Sequence, residues 1–316
     1  MYKKFVFFFS TLLMGAVLIG CSTAVVEPDA VAISEAVSTQ ISMVDGLGRE
    51  ITLESPAVRI VSLSPSNTEL LYAVGAGDQV VGRDSFSDYP EDASNLVDIG
   101  GGYSEYNLEQ IVELEPDLVL AAEINTAELV QSIEDLGITV FYVSNPLTFD
   151  DLYTNIENMG LLTGHADTAQ TVITDIQSRV EAVVSAIAET DTVPIVFYEL
   201  DATDPTKPYT AGPDTYYSTF ISMAGGKNVG DALSSSWAQI SLEELIIQDP
   251  DIILLGDSLW GITPESVGER EGWSSLTAVQ EGNVLPFDDN LLARPGPRLV
   301  DGLEALARIL HPEVFD

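Results

Sequence analysis

Cysteine, histidine and cationic side chains are all scarce in this chain. Cys21 is the single cysteine of 316 residues, so no disulfide can form within the chain and no metal site can be built on several thiolates. The two histidines, His165 and His311, lie too far apart in sequence and in places too different in character to suggest the His-rich cluster that captures bare zinc or manganese. Twelve Lys and Arg stand against 50 Asp and Glu, a net charge of −38. That balance argues against nucleic acid as a partner, since it is held by basic side chains facing phosphates. It describes a solvated, self-repelling surface of the kind suited to a saline habitat.

The main long apolar run is Phe5 to Ile19, behind Lys3 and Lys4. It is short for a membrane-spanning helix and reads as an export signal over residues 1–20. Leu18-Ile19-Gly20-Cys21 resembles the bacterial lipobox, which implies lipidation of Cys21 and an extracytoplasmic protein anchored to the cell membrane. Removing the signal takes both lysines and no acid. Residues 21–48 then read as an acidic tether of small residues without a sustained period.

What is present is a repeat. Residues 107–120 read NLEQIVELEPDLVL and residues 241–254 read SLEELIIQDPDIIL, 134 positions apart. Each copy starts with a capping residue, Asn107 or Ser241, with Gln110 or Glu244 placed three residues on to close a capping box. Proline then stops the helix, because the residue before it is pushed out of the α region. Asp-Leu-Val-Leu and Asp-Ile-Ile-Leu lack alternation, as strands covered on both faces do. A repeat at this distance implies two similar lobes rather than stacked small units.

The order of elements predicts α/β lobes with parallel-rich central sheets. The N-terminal lobe spans 49–163, starting with strand Val58 to Leu63 and a turn at Ser64 to Asn67; the C-terminal lobe spans 191–316. Between them, in 164–190, Ala169, Val172, Ile173, Ile176, Val180, Val183 and Ile187 recur at spacings of three and four and make one apolar stripe. A helix of about 23 residues here, from about Asp167 to Glu189, spans about 35 Å and acts as a rigid strut between the lobes. In open parallel sheets, ligands sit beyond the carboxyl ends of the strands, which points to loops 64–67, 83–89, 100–106, 201–212, 256–273 and 288–296.

The segments RIVSLSPSNTELLYAVGAGDQVVGRDSFSDYP, NLEQIVELEPDLVLA, PYTAGPDTYYSTFISMAGGKNV, SWAQISLEELIIQDPDIILLGD and ARPGPRLVDGLEAL, in this order over about residues 57–310, resemble the iron-chelate and cobalamin class of periplasmic binding proteins, its cobalamin binders most of all. The resemblance implies two Rossmann-like lobes joined by one stiff helix. It implies capture of cobalamin or a ferric chelate (siderophore or haem) in the cleft and delivery to the permease dimer of an ABC importer, by a monomer with no catalysis, cofactor or protein-bound metal. Tyr103 and Trp237, each four residues before a repeat, match positions of cleft aromatics in the family; Phe86 and Tyr209 match two more, and Trp260 is a further candidate. Core packing is the competing reading for each, since an aromatic before a cap often staples a helix. Arg83 and Arg294 are candidate ligand contacts through their forked donors; Arg294 has a family counterpart, and Arg83 departs toward an anionic ferric chelate. Arg298 is balanced between a ligand role and a salt bridge to the acidic surface. Glu109 and Glu243, second in the two helices, match glutamates that dock into permease arginines; their plainer role is to favour the helix dipole.

Two other classes rank below. Gly256-Asp257-Ser258-Leu259 spells the nucleophile block of the GDSL-type serine esterases, but the Asp-x-x-His of that class is missing: Leu162 and Arg308 stand three residues before the two histidines. The other, a free zinc or manganese carrier, lacks the histidines.

Overall fold

The structure is a computed structural model and describes residues 40–315. Cys21 and the signal lie outside the described residues. Two parallel sheets carry the fold. The strands in chain order are β1 (Ile41–Val44), β2 (Glu50–Leu53), β3 (Ile60–Ser62), β4 (Val80–Arg83), β5 (Val97–Asp98), β6 (Leu118–Ala122), β7 (Val140–Val143), β8 (Ile195–Glu199), β9 (Tyr209–Ala211), β10 (Lys227–Asn228), β11 (Trp237–Gln239), β12 (Ile252–Leu255) and β13 (Val284–Pro286). The principal helices are α1 (Pro65–Ala73), α2 (Leu108–Glu113), α3 (Ala127–Glu134), α4 (Phe149–Thr163), α5 (Ala166–Ile187), α6 (Tyr216–Met223), α7 (Leu242–Gln248), α8 (Pro264–Gly268), α9 (Thr277–Glu281), α10 (Asn290–Ala293) and α11 (Leu299–Leu310).

The N-terminal sheet runs β5-β4-β3-β6-β7 and the C-terminal one β10-β8-β12-β13, parallel throughout. In each, the chain first winds to one side of the leading strand, β3 or β8, then crosses to its other side at the repeat strand, β6 or β12. Both switch points therefore put their carboxyl-end loops at the place where α/β folds bind ligands.

The repeat is structural down to single bonds. Asn107 Oδ1 accepts from Gln110 N at 3.0 Å, and Ser241 Oγ from Glu244 N at 3.2 Å. The capping boxes do not close, because Gln110 donates to Glu113 and Glu244 accepts from Gln248 instead. Glu115 and Asp249, each just before proline, both hold positive φ, 45° and 44°. The following aspartates then clamp the start of the leading strand: Asp117 accepts from Val58 N and Arg59 N at 2.9 and 3.1 Å, and Asp251 from Ile195 N at 2.7 Å.

Three expectations need correction. Residues 41–44, assigned to the tether, form β1, which pairs antiparallel with β2. Asp45 fixes the turn by accepting from Leu47 N and Arg49 N and pairing with the Arg49 guanidinium at 2.6 Å. Pro65 is not in a turn before α1 but opens it, behind Ser64 as cap, where a missing N–H costs nothing. The loop 256–273, expected at the cleft, ends instead in the core: Trp273 is fully buried, with its indole N–H on Pro205 O at 3.0 Å.

The strut is α5, 22 residues long. Its stripe buries Ala169, Ile173, Ile176 and Val183, with Val172, Val180 and Ile187 half-buried against the same core. It packs on α4 and on α11. Arg179, on its other side, holds Asp301 at 2.5 Å and Glu304 at 2.8 Å, both on α11. Among the described residues no helix is long and apolar enough to cross a membrane.

Candidate functional site: an aromatic, acid-walled cleft

Three cavities sharing walls run between the lobes. The first, about 440 Å³, lies between Ser64, Glu123 and Ile124 of the N-terminal lobe and Tyr216, Trp237 and Arg294 of the other. The second, about 410 Å³, continues past Asp84, Phe86 and Asp88 to Trp260 and Asp289. The third, about 440 Å³, joins Tyr103 to Asp201, Asp257 and Trp260.

The N-terminal wall is built on buried hydrogen bonds. Thr68 and Ser62 hydroxyls bond at 2.8 Å, Thr68 meets Ser87 at 2.8 Å, and Ser87 donates to Asp84. This chain ties the start of α1 to loop 84–88. Tyr106 donates to Leu63 O at 2.8 Å while Asn125 donates to the Tyr106 hydroxyl at 2.8 Å, which fixes the switch-point loops to each other. Burial pushes the Tyr106 phenol up to about 12, so it stays a neutral donor. Gly102 has φ of 65°, and a Cβ there would stand 2.0 Å from Phe86, so only glycine lets the loop turn beneath that ring. Tyr103 follows, 88% exposed and edge-on to Phe86 at 5.3 Å.

On the C-terminal side Trp237, 48% exposed, stands edge-on to Tyr217 at 5.7 Å and Tyr216 at 6.3 Å. Asp289 accepts from the Tyr198 and Tyr217 hydroxyls at 2.7 and 2.9 Å. Burial raises both phenols well above their ordinary range, with Asp289 adding to it, so the carboxylate holds the charge and the tyrosines the protons.

Cations at the cleft are already spent. Arg298 grips Glu69, a buried carboxylate of α1 in the opposite lobe, with two bonds of 2.6 and 2.8 Å, and lies 4.0 Å over the Tyr89 ring. Arg294 pairs with Asp88 at 2.5 Å and approaches Glu69 at 3.8 Å. Its guanidinium holds the Asp88 carboxyl below the usual range, whereas burial pushes Glu69 up against the pull of Arg298. The Arg298–Glu69 pair latches the lobes together behind the cleft, and the Arg294–Asp88 pair does so in the cleft wall itself. Arg298→Met leaves Glu69 buried with only the more distant Arg294. We expect chemical denaturation to show a loss of about 3 kcal/mol, the low end for a broken buried pair.

Phe86, Tyr103, Trp237, Trp260 and Arg294 all line the cavities. Two candidates do not. Arg83 is tied to Asp98 at 2.8 Å and to the Asp84 carbonyl at 2.9 Å, which turns its guanidinium to the edge of the sheet rather than into the cleft. Tyr209 is exposed on the β9–β11 ribbon and lines none of the three cavities. Glu109 and Glu243 are exposed on α2 and α7, and neither makes a hydrogen bond or ion pair with another described residue. Ser258 donates to Phe287 O at 3.1 Å, and no histidine is placed to activate it. Among the described residues no group of three or more His, Cys, Asp or Glu could hold a metal.

Sequence reading missed the Tyr216–Tyr217 platform, Glu69 and the acids Asp84, Asp88 and Asp289. A charged residue inside the apolar segment NTELLYAV was a signal for Glu69, since a buried carboxylate needs one of the few cations.

Two parallel-sheet lobes with cavities between their switch-point loops are the architecture of an extracytoplasmic solute-binding protein of the ABC-importer type. The chain belongs to the periplasmic binding protein family, whose model matches residues 60–291. It is 31% identical to an uncharacterized ABC transporter substrate-binding lipoprotein, YvrC of Bacillus subtilis, over 99% of both chains. It is 32% identical to a cobalamin-binding protein of Halobacterium salinarum, over 92% of this chain and 75% of the relative. Among solved structures, the periplasmic heme-binding protein RhuT from Roseiflexus sp. RS-1 superposes with a TM-score of 0.72 at 26% identity, covering 81% of this chain and 98% of that one.

Proposed function

We propose that the protein captures a metal chelate outside the cytoplasmic membrane, tethered through a lipidated Cys21, and hands it to an importer permease dimer, with cobalamin the favoured ligand. The carrying observation is the combination of exposed aromatic rings at Phe86, Tyr103, Trp237 and Trp260 with walls of carboxylate whose neighbouring arginines are neutralised. Aromatic faces give a large rigid ligand broad contact at little entropic cost. Acid walls repel a carboxylate-bearing ligand such as haem and accept a corrinoid rich in amide N–H donors. The cobalamin-binding relative supports the same choice.

Phe86, Tyr103, Trp237, Trp260 and Arg294 are the proposed contacts. Arg83 and Tyr209 are left out, and with Arg83 goes the tilt toward an anionic ferric chelate. Glu109 and Glu243 are the proposed permease contacts. In thermal melting, cyanocobalamin at 100 times its dissociation constant should stabilise the protein by about 2.7 kcal/mol, and haem by less. Flat melting curves with cyanocobalamin, haem and a siderophore panel would end the ligand proposal.

A further inference from the structure

The third cavity holds a group that neither the fold nor the lobe latch uses. Asp257, just past β12, is 5% exposed, and its Oδ1 has no hydrogen-bond partner among the described residues. The acid beside it, Glu199 on β8, is wholly buried, and Arg270 satisfies both its oxygens at 2.6 and 2.8 Å. Arg270 in turn lies 4.5 Å over the Trp273 ring. Glu199 and Arg270 thus form a buried ion pair, and Asp257, which shares a hydrogen bond with Glu199 when protonated, keeps its Oδ1 without a partner. Around the same cavity stand Tyr103 from the opposite lobe, Trp260 and Asp201. Hydrogen bonds from the Thr203 backbone N–H and then its hydroxyl keep the Asp201 carboxyl below its usual range, so it is ionised.

We propose that this slot between Tyr103 and Trp260 is a subsite for a cationic or amide N–H donor arm of the ligand, with Asp257 as the acceptor. It extends the chelate site proposed above and rests on that reading. Two aromatic faces attract cations and polarised N–H groups, an ionised Asp201 excludes carboxylates, and the orphaned oxygen gives the donor its partner. The charged and titratable groups facing Asp257 are Glu199, Arg270, Asp201 and Tyr103. Burial first, then the charge of Glu199 and a hydrogen bond shared with it, push the Asp257 carboxyl up to about 7 against the pull of Arg270. The unliganded acid is then largely protonated below neutrality. A donor arm is held more strongly by the ionised form, whose hydrogen bond is charge-assisted, so binding favours release of the proton and affinity rises with pH.

The test is calorimetric titration of the full protein with cyanocobalamin, which carries amide arms, and with ferrioxamine B, a ferric hydroxamate with an ammonium arm. Titrations run between pH 6 and 8 in buffers of different ionisation enthalpy. The expected result is affinity about tenfold higher at pH 8 than at pH 6, with uptake of the released proton by the buffer. Asp257→Asn should flatten that dependence, and the proton release of the wild type stands even if this variant misfolds. Binding that is independent of pH, or that weakens as pH rises because the acid donates to the ligand, overturns the slot while leaving the chelate reading in place. Failure of both probes to bind at any pH removes the slot, and the ligand proposal falls with it once haem and the siderophore panel also give flat melting curves.

Discussion

Reversing two charges, Glu109→Arg with Glu243→Arg, should bring uptake to background while ligand affinity stays within twofold of wild type. The two carboxylates sit at equivalent places, 134 residues apart, each on the first turn of the repeat helix of its own lobe. Both are exposed, and the helix caps are supplied by Asn107 and Ser241 rather than by them. Their only structural contribution is to the helix dipole, about 0.3–1 kcal/mol each, so the variant should fold. A partner surface with arginines facing both lobes would meet like charge at two points, each costing several kcal/mol. Single reversals should therefore give partial uptake. The paired measurements are radiolabelled ligand transport in cells and calorimetric affinity of the purified variant. Loss of affinity would put these residues at the ligand instead of the permease, and unchanged uptake would dissolve the docking proposal.

The second large effect belongs to the cleft rings. Trp237→Ala should weaken cyanocobalamin binding about 30-fold, as truncation of a central aromatic anchor costs about 2 kcal/mol or more. Trp237 lines the cavity and is held edge-on by Tyr216 and Tyr217, so its ring is pre-set for contact. Tyr103→Ala, at the counterpart position of the other lobe, should cost about tenfold, because its ring is braced by Phe86 alone. Tyr209→Ala, away from the cavities, should change affinity by less than about twofold. Equal effects at Trp237 and Tyr209 would mean that the variants act through the fold rather than through contact with ligand.

The lobes, the strut and the repeat were legible because each rests on periodic burial or on a proline that fixes backbone direction. The stripe from Ala169 to Ile187 needs no tertiary knowledge to read. Pro116 and Pro250 mark the helix ends, and the acid after each clamps a strand start that lies 58 or 56 positions earlier in the chain. The first strand was not legible, since Ile41–Val44 forms an edge hairpin that alternates over only four residues and follows polar sequence. Among the site residues, aromatics before the repeats were found through their equivalent places in the two copies. Arginine roles were not, because a guanidinium at a strand end reaches several partners, and only geometry says that Arg83 turns to Asp98 while Arg298 crosses to Glu69. Nor does sequence spacing tell that the cleft is walled by acids, which come from four separate loops: Asp84, Glu123, Asp257 and Asp289.

The most direct test of an interlobe chelate site is an absorption-monitored equilibrium titration of the protein with cyanocobalamin, repeated with Trp237→Ala and Tyr103→Ala. A saturable one-to-one change in the visible bands, weakened by either substitution from opposite lobes, is the predicted result. Saturable binding that neither substitution alters would place the ligand elsewhere on the molecule and contradict the account.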